Sequence, residues 1–155
     1  MSFYKLNSLV EQFENFLPGQ EVIEPAISSS PVGWHIEHSL LVIDLVIGQM
    51  IKSDPQQYKK RFDYRRVVVL VFGYIPRGKV KAPKAVQPAG NLDAVSLQSH
   101  LDHTRQKLLL LTGLDEKHYF THPFLGDFRV KPATRFLCVH TRHHLDIIRE
   151  ILNKK

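Results

Sequence analysis

Cysteine is almost missing from this chain: Cys138 is the only one in 155 residues. A disulfide-stapled scaffold is therefore excluded, and a chain of this length can bury a sizeable core without one. Long apolar runs are missing too. The longest apolar stretch, Leu40 to Ile51, is broken by Asp44, Gly48 and Gln49, and is too short and too polar to cross a bilayer. The opening Met1-Ser2-Phe3-Tyr4-Lys5 has no basic segment followed by an apolar run. No secretion signal and no membrane partner are expected, and the cytoplasm is the default location. Internal repeats, low-complexity tracts and domain boundaries are not visible, so residues 1–155 are expected to form one domain. No serine stands in a nucleophile elbow, and no glycine-rich phosphate loop is present. Acidic residues are outnumbered, 15 against 21 lysines and arginines, for a net charge of +6. Such a surplus favours nucleic acid or anionic small molecules as partners. The basic residues are scattered and form no nucleic-acid-binding motif, so nucleic acid is not an expected partner.

What is present is an ordinary globular composition, 43% apolar and 23% charged, with helical periodicity. Leu6, Leu9, Val10, Phe13, Phe16 and Leu17 recur at helical spacing, and Pro18-Gly19 stops the pattern. Ser28 to Ser30 are N-cap candidates for a second helix over residues 32–52. That helix is apolar nearly all round, which implies burial on more than one side. Residues 62–74 contain Val-Val-Val-Leu-Val-Phe, the residue types of a buried strand. Without a convincing partner strand, a helix is the better reading. A proline-rich loop follows, and Asn91 or Asp93 opens a third long helix ending near Leu111. Residues 112–131 read as loop and turn. Pro132 sits in the first turn of the last helix, which runs to about Asn153. The pattern predicts an all-α bundle.

Nine histidines are the compositional surplus. His140 and His144 are four residues apart on the last helix, hence about 40° apart on one face. Two imidazoles so placed can reach one metal ion, or can be two partly exposed helix residues. The surrounding face favours the former. Phe136, Ala133, Ile147 and Ile151 all fall within about 40° of His140 on the helical wheel. Both histidines thus lie in an apolar stripe, where an unpartnered polar group costs a few kcal/mol. On the second helix His38 shares a stripe with Trp34, Val42 and Leu45. His35 falls about 60° off that stripe and His143 about 60° from His140. A core histidine bonded to a backbone carbonyl is the plain alternative for His38. Three inward histidines on two long helices instead describe a three-nitrogen metal site with an open fourth position. Imidazole ligands suit zinc or nickel.

The segments Trp34-His35-Ile36-Glu37-His38-Ser39-Leu40 and His140-Thr141-Arg142-His143-His144-Leu145 together resemble the DinB/YfiT-like superfamily. Ile75-Pro76-Arg77-Gly78-Lys79, Lys81-Ala82-Pro83-Lys84, and His122-Pro123 with Gly126 agree with it, so the likeness covers nearly the whole chain. The resemblance implies an up-down four-helix bundle with a longer connection between helices 2 and 3, often as a homodimer. It also implies a divalent metal ion held by His38, His140 and His144. Some members look like thiol-dependent transferases and others like metal-dependent hydrolases of small molecules. His35 and His143 add an extra histidine to each motif, which leaves the ligand on each helix open.

If the protein is an enzyme, Glu37 and His122 are the candidate catalytic helpers. Glu37 lies about 100° from His38 on the wheel, a poor position for the same ion. His122 precedes the ligand helix and is either pocket lining or part of a turn fixed by Pro123. Arg77, Lys79, Lys81 and Lys84 make a basic loop, either a recruiter of an anionic substrate or lipid headgroup or merely solvated; the expected small-molecule substrate is anionic or a thiol. His100 and His103, beside Asp102 and Arg105, suggest a solvated face. Cys138 points away from His140 and is expected to be buried. The competing reading is a non-catalytic bundle that binds a small ligand or a protein partner, its histidines structural or vestigial.

Overall fold

The computed structural model describes residues 2–78 and 81–153. Four longer helices carry the structure: α1 (Ser2–Glu11), α2 (Val32–Lys52), α4 (Ala94–Leu108) and α5 (Val130–Asn153). A single turn, α3 (Tyr64–Val67), lies in the connection between α2 and α4. α2 packs against both α4 and α5, and α1 closes onto α5. Apolar stripes from all four meet in one core, where Leu6, Phe13, Ile36, Leu40, Ile43, Ile47, Leu97, Leu101 and Leu137 are fully buried. This is the multi-sided burial that the apolar circumference of α2 requires.

The helix ends follow local chemistry. Asp93 caps α4, its Oδ1 accepting the Ser96 amide at 2.7 Å. α2 begins differently from expectation. Its N-cap is Pro31, with no side-chain cap; none of Ser28 to Ser30 holds that position, and the Ser28 hydroxyl turns inward to His35. The first amphipathic stretch is also shorter as an α-helix than its periodicity implies. α1 ends at Glu11 and continues as tighter 3-10 turns over Gln12–Gly19, which still bury Phe13 and Leu17.

Two expectations need correction. Residues 62–74 are helical rather than strand, as expected, but only over residues 64–72 and not as a regular α-helix. α3 gives way to a wide π-type turn over Val68–Phe72, ended by Gly73 at φ 65°. A side chain there would be strained, which makes glycine the natural stop. Val69 is the one buried residue of that turn, so the run of β-branched residues follows a partly exposed surface rather than a core. Residues 112–131 are not only loop. β1 (Tyr119–His122) and β2 (Gly126–Arg129) form an antiparallel hairpin in the register Phe120↔Phe128 and His122↔Gly126. The rings of Phe120 and Phe128 stack at 5.3 Å, and both lie 5.8 Å from Phe136 on α5. Packing on α5 stabilises a two-stranded ladder that would be marginal alone. Asp127 is buried but satisfied, accepting from Thr121 Oγ1 at 2.7 Å and the Lys59 amide at 2.8 Å. Among the described residues, no helix is long and apolar enough to cross a membrane.

Candidate metal centre

α2 and α5 bring His38, His140 and His144 together, each offering a ring nitrogen within 4.8 Å of the other two. The ring centroids are 5.1 Å apart for His38 and His140, 4.6 Å for His140 and His144, and 4.8 Å for His38 and His144. The four-residue step on α5 aligns two of the rings on one face, and the α2–α5 packing delivers the third.

Each ring is oriented by a specific neighbour. The Nδ1–H of His38 donates to the Val86 carbonyl at 2.7 Å, and Trp34 stacks on the same ring at 4.9 Å and 12°. A carbonyl only accepts, so the His38 proton is on Nδ1 and Nε2 keeps its lone pair. Val86 is buried in the connection between α2 and α4, and so that connection forms part of the site. His144 Nδ1 faces His35 Nδ1 at 2.9 Å, and His35 Nε2 faces Ser28 Oγ at 2.9 Å. Among the described residues, His140 Nδ1 is buried with no hydrogen-bond partner.

Electrostatics keep the cluster neutral. Burial lowers the pKa of His38, and pushes those of His140 and His144 well below the usual value. The neighbouring histidines push in the same direction at His140 and His144, because a second imidazolium there would be repelled. Neutral imidazole is the form that binds metal. An orphaned buried nitrogen on His140, a free Nε2 on His38 and an all-imidazole donor set fit a divalent cation. Left without one, His140 Nδ1 would bear the cost of an unmade hydrogen bond.

The two candidate helpers lie elsewhere around this centre. Glu37 Oε2 accepts from His100 Nδ1 at 2.8 Å, across the α2–α4 contact. His122 is at the end of β1. Its Nδ1 accepts from the Phe124 and Leu125 amides at 3.1 and 3.3 Å, and its ring meets Phe136 edge-on at 5.1 Å. Burial pushes its pKa down to about 4. With Nδ1 accepting, the single proton of neutral His122 sits on Nε2.

Three residues of the site were not assigned to it by sequence reasoning: His35, Ser28 and Val86. His35 is buried although it is off the α2 stripe, because α2 is covered on several sides. The extra histidine three residues before His38 was the available signal. Val86 contributes only a carbonyl, which leaves no mark in the sequence. His143, half-buried at the edge, lies 5.2 Å ring to ring from His144. The solvated face expected for His100 is not seen. Its ring is mostly buried between Glu37 and Asp44, with Asp44 Oδ2 3.5 Å from Nε2. His103 is exposed as expected. In the basic loop, Arg77 is held by both carboxylate oxygens of Glu150, at 2.7 and 2.8 Å. Lys79 lies outside the described residues.

Comparison with known proteins agrees with the two histidine motifs. Residues 6–148 match the family model of the DinB superfamily. No curated protein and no solved structure matches the chain. A match of that extent, spanning both histidine-bearing helices, shows that the chain belongs to the DinB superfamily.

Proposed function

We propose that this protein is a divalent-metal-binding helical bundle that acts on a small molecule through His38, His140 and His144, as a metal-dependent hydrolase or a thiol-dependent transferase. The observation that carries the reading is the convergence of three neutral imidazoles, one with an orphaned buried nitrogen. In this reading α1, α2, α4 and α5 are the four helices of the bundle, and the chain works as a homodimer. Three imidazoles leave room for an exogenous ligand. Zinc and nickel are the candidate ions. Such an ion supplies Lewis acidity, which makes water or a thiol nucleophilic at neutral pH.

The chain's own residues take distinct parts. The Val86 carbonyl and the Trp34 ring hold His38 in place. His122 keeps a proton on Nε2, which suits it to donate a hydrogen bond to developing negative charge rather than to take a proton. Glu37 is engaged by His100, so its contribution is to fasten α2 to α4 rather than to act as a base. The hydrophobic hairpin, with Phe120 and Phe128 against Phe136, walls one side of the helix that carries His140.

The test is a reactivity panel on zinc-loaded and nickel-loaded protein, with thiol-conjugation substrates and with esters and amides. Turnover lost in His140→Ala supports the enzyme reading. A loaded protein that turns over nothing in the panel favours the non-catalytic binder. Light scattering after gel filtration reads the dimer, and a monomer there removes that part of the proposal.

A further inference from the structure

Behind His144 lies a buried chain of polar atoms. Ser28 Oγ, in the loop before α2, is 2.9 Å from His35 Nε2, and His35 Nδ1 is 2.9 Å from His144 Nδ1. Ser28 Oγ also accepts the Ser30 amide at 3.1 Å. Both nitrogens of His35 are thus occupied, so His35 is not a free ligand. The residue is only 4% exposed.

A pair of imidazoles joined through Nδ1 and Nδ1 must place a proton on one of the two nitrogens. Two arrangements satisfy the chain. In the first, His144 Nδ1–H donates to His35 Nδ1, and His35 Nε2–H donates to Ser28 Oγ. In the second every bond is reversed: the Ser28 hydroxyl donates to His35 Nε2, and His35 Nδ1–H donates to His144 Nδ1. The second puts the His144 proton on Nε2 and leaves that ring with no free lone pair. The first leaves Nε2 free to coordinate, as at His38, where the Val86 carbonyl enforces the same tautomer.

We infer that His35 is a positioning residue for the centre: braced by Ser28, it takes the Nδ1–H bond of His144 and so holds His144 in the tautomer that presents Nε2 as a metal ligand. This rests on the metal-centre reading above. It assigns the extra histidine of the first motif a supporting role, since an outer acceptor of this kind fixes ring orientation and raises ligand basicity.

The experiment reads the tautomer and the affinity separately. Long-range proton–nitrogen NMR correlation on metal-free protein with isotope-labelled histidines, near neutral pH, reports which nitrogen of His144 is protonated. The expected result is Nδ1–H in the wild type, with loss of that preference in His35→Phe and its retention in His35→Gln, whose side-chain carbonyl can still accept. Zinc competition against a chromophoric chelator should show His35→Phe weakened roughly 10–100-fold, with His35→Gln recovering most of the loss. Ser28→Ala should fall between wild type and His35→Phe. If His35→Phe does not fold, His35→Gln and Ser28→Ala still carry the comparison. A wild-type His144 protonated on Nε2 overturns the inference. So does a His35→Phe variant with unchanged tautomer and unchanged zinc affinity. A wild type that binds no zinc contradicts the metal centre instead, while the NMR result on metal-free protein still decides the role of His35.

Discussion

Replacing His100 with glutamine should remove a pH-dependent clamp between α2 and α4. His100 is on α4, and its ring, 19% exposed, lies between two carboxylates of α2. Nδ1 is 2.8 Å from Glu37 Oε2 and Nε2 is 3.5 Å from Asp44 Oδ2. Asp44 also accepts from Thr104 Oγ1 at 3.1 Å, and has Lys107 and His103 at 3.5 Å. The hydrogen bonds that the His100 ring donates to Asp44 and Glu37 outweigh the cost of burial and raise its pKa from 6.5 to about 9. Each pH unit between the folded and unfolded values is worth about 1.4 kcal/mol, so the clamp contributes at most ~3 kcal/mol. Because the folded pKa is the higher one, that contribution is fully present below pH 6.5 and is lost as pH rises through about 9. Urea denaturation of wild type and His100→Gln across that interval measures it. The difference between the two proteins should be largest at the acid end and shrink toward the alkaline end. Parallel stability curves would refute the clamp.

The remaining predictions concern the core, the acid limb, a surface pair and the hairpin. Phe128→Ala removes a fully buried ring that packs on Phe120 and Phe136, and should cost about 3–5 kcal/mol in denaturant unfolding. Burial depresses His35 and His122 to about 4, so the stability they carry is present above pH 6.5 and is lost as pH falls through about 4. Metal-free wild type should therefore lose more stability over that interval than His122→Phe. Arg77→Ala breaks a bidentate ion pair, but the partners are 44% and 45% exposed, so the melting temperature should reflect a loss under about 1 kcal/mol. Asp127→Ala should cost about 2–4 kcal/mol, since it leaves the Thr121 hydroxyl and the Lys59 amide without their acceptor.

The legible and illegible parts of the structure divide along physical lines. α2 and α5 stand out because their periodicity is long, and the wheel places His38, His140 and His144 on inward stripes because a stripe is a property of spacing alone. The hairpin escapes because each strand has four residues, and its stability comes from packing on Phe136 of α5, outside the strands themselves. The strand-like run at residues 67–72 is read correctly as helix only because a lone strand lacks a partner, not from its residue types. Its β-branched residues have no ladder to join, and the chain there winds into a wide turn. His35 and His100 both lie off the apparent apolar faces, and each is buried by a partner that no local pattern encodes: His144 on α5 for one, Glu37 and Asp44 on α2 for the other. Polar side chains buried by pairing across elements are the class that periodicity does not reveal. Glu37 illustrates the same point from the other side, since its spacing near His38 gives no sign that His100 already holds it.

The most direct test of the metal centre is equilibrium titration of untagged, chelator-stripped protein with zinc and with nickel, reading bound metal and affinity. The account predicts one ion per chain, abolished in His140→Ala and His144→Ala, with the folded fraction at fixed denaturant rising as the ion is added. Wild-type protein that stays metal-free after equilibration with both ions would contradict it.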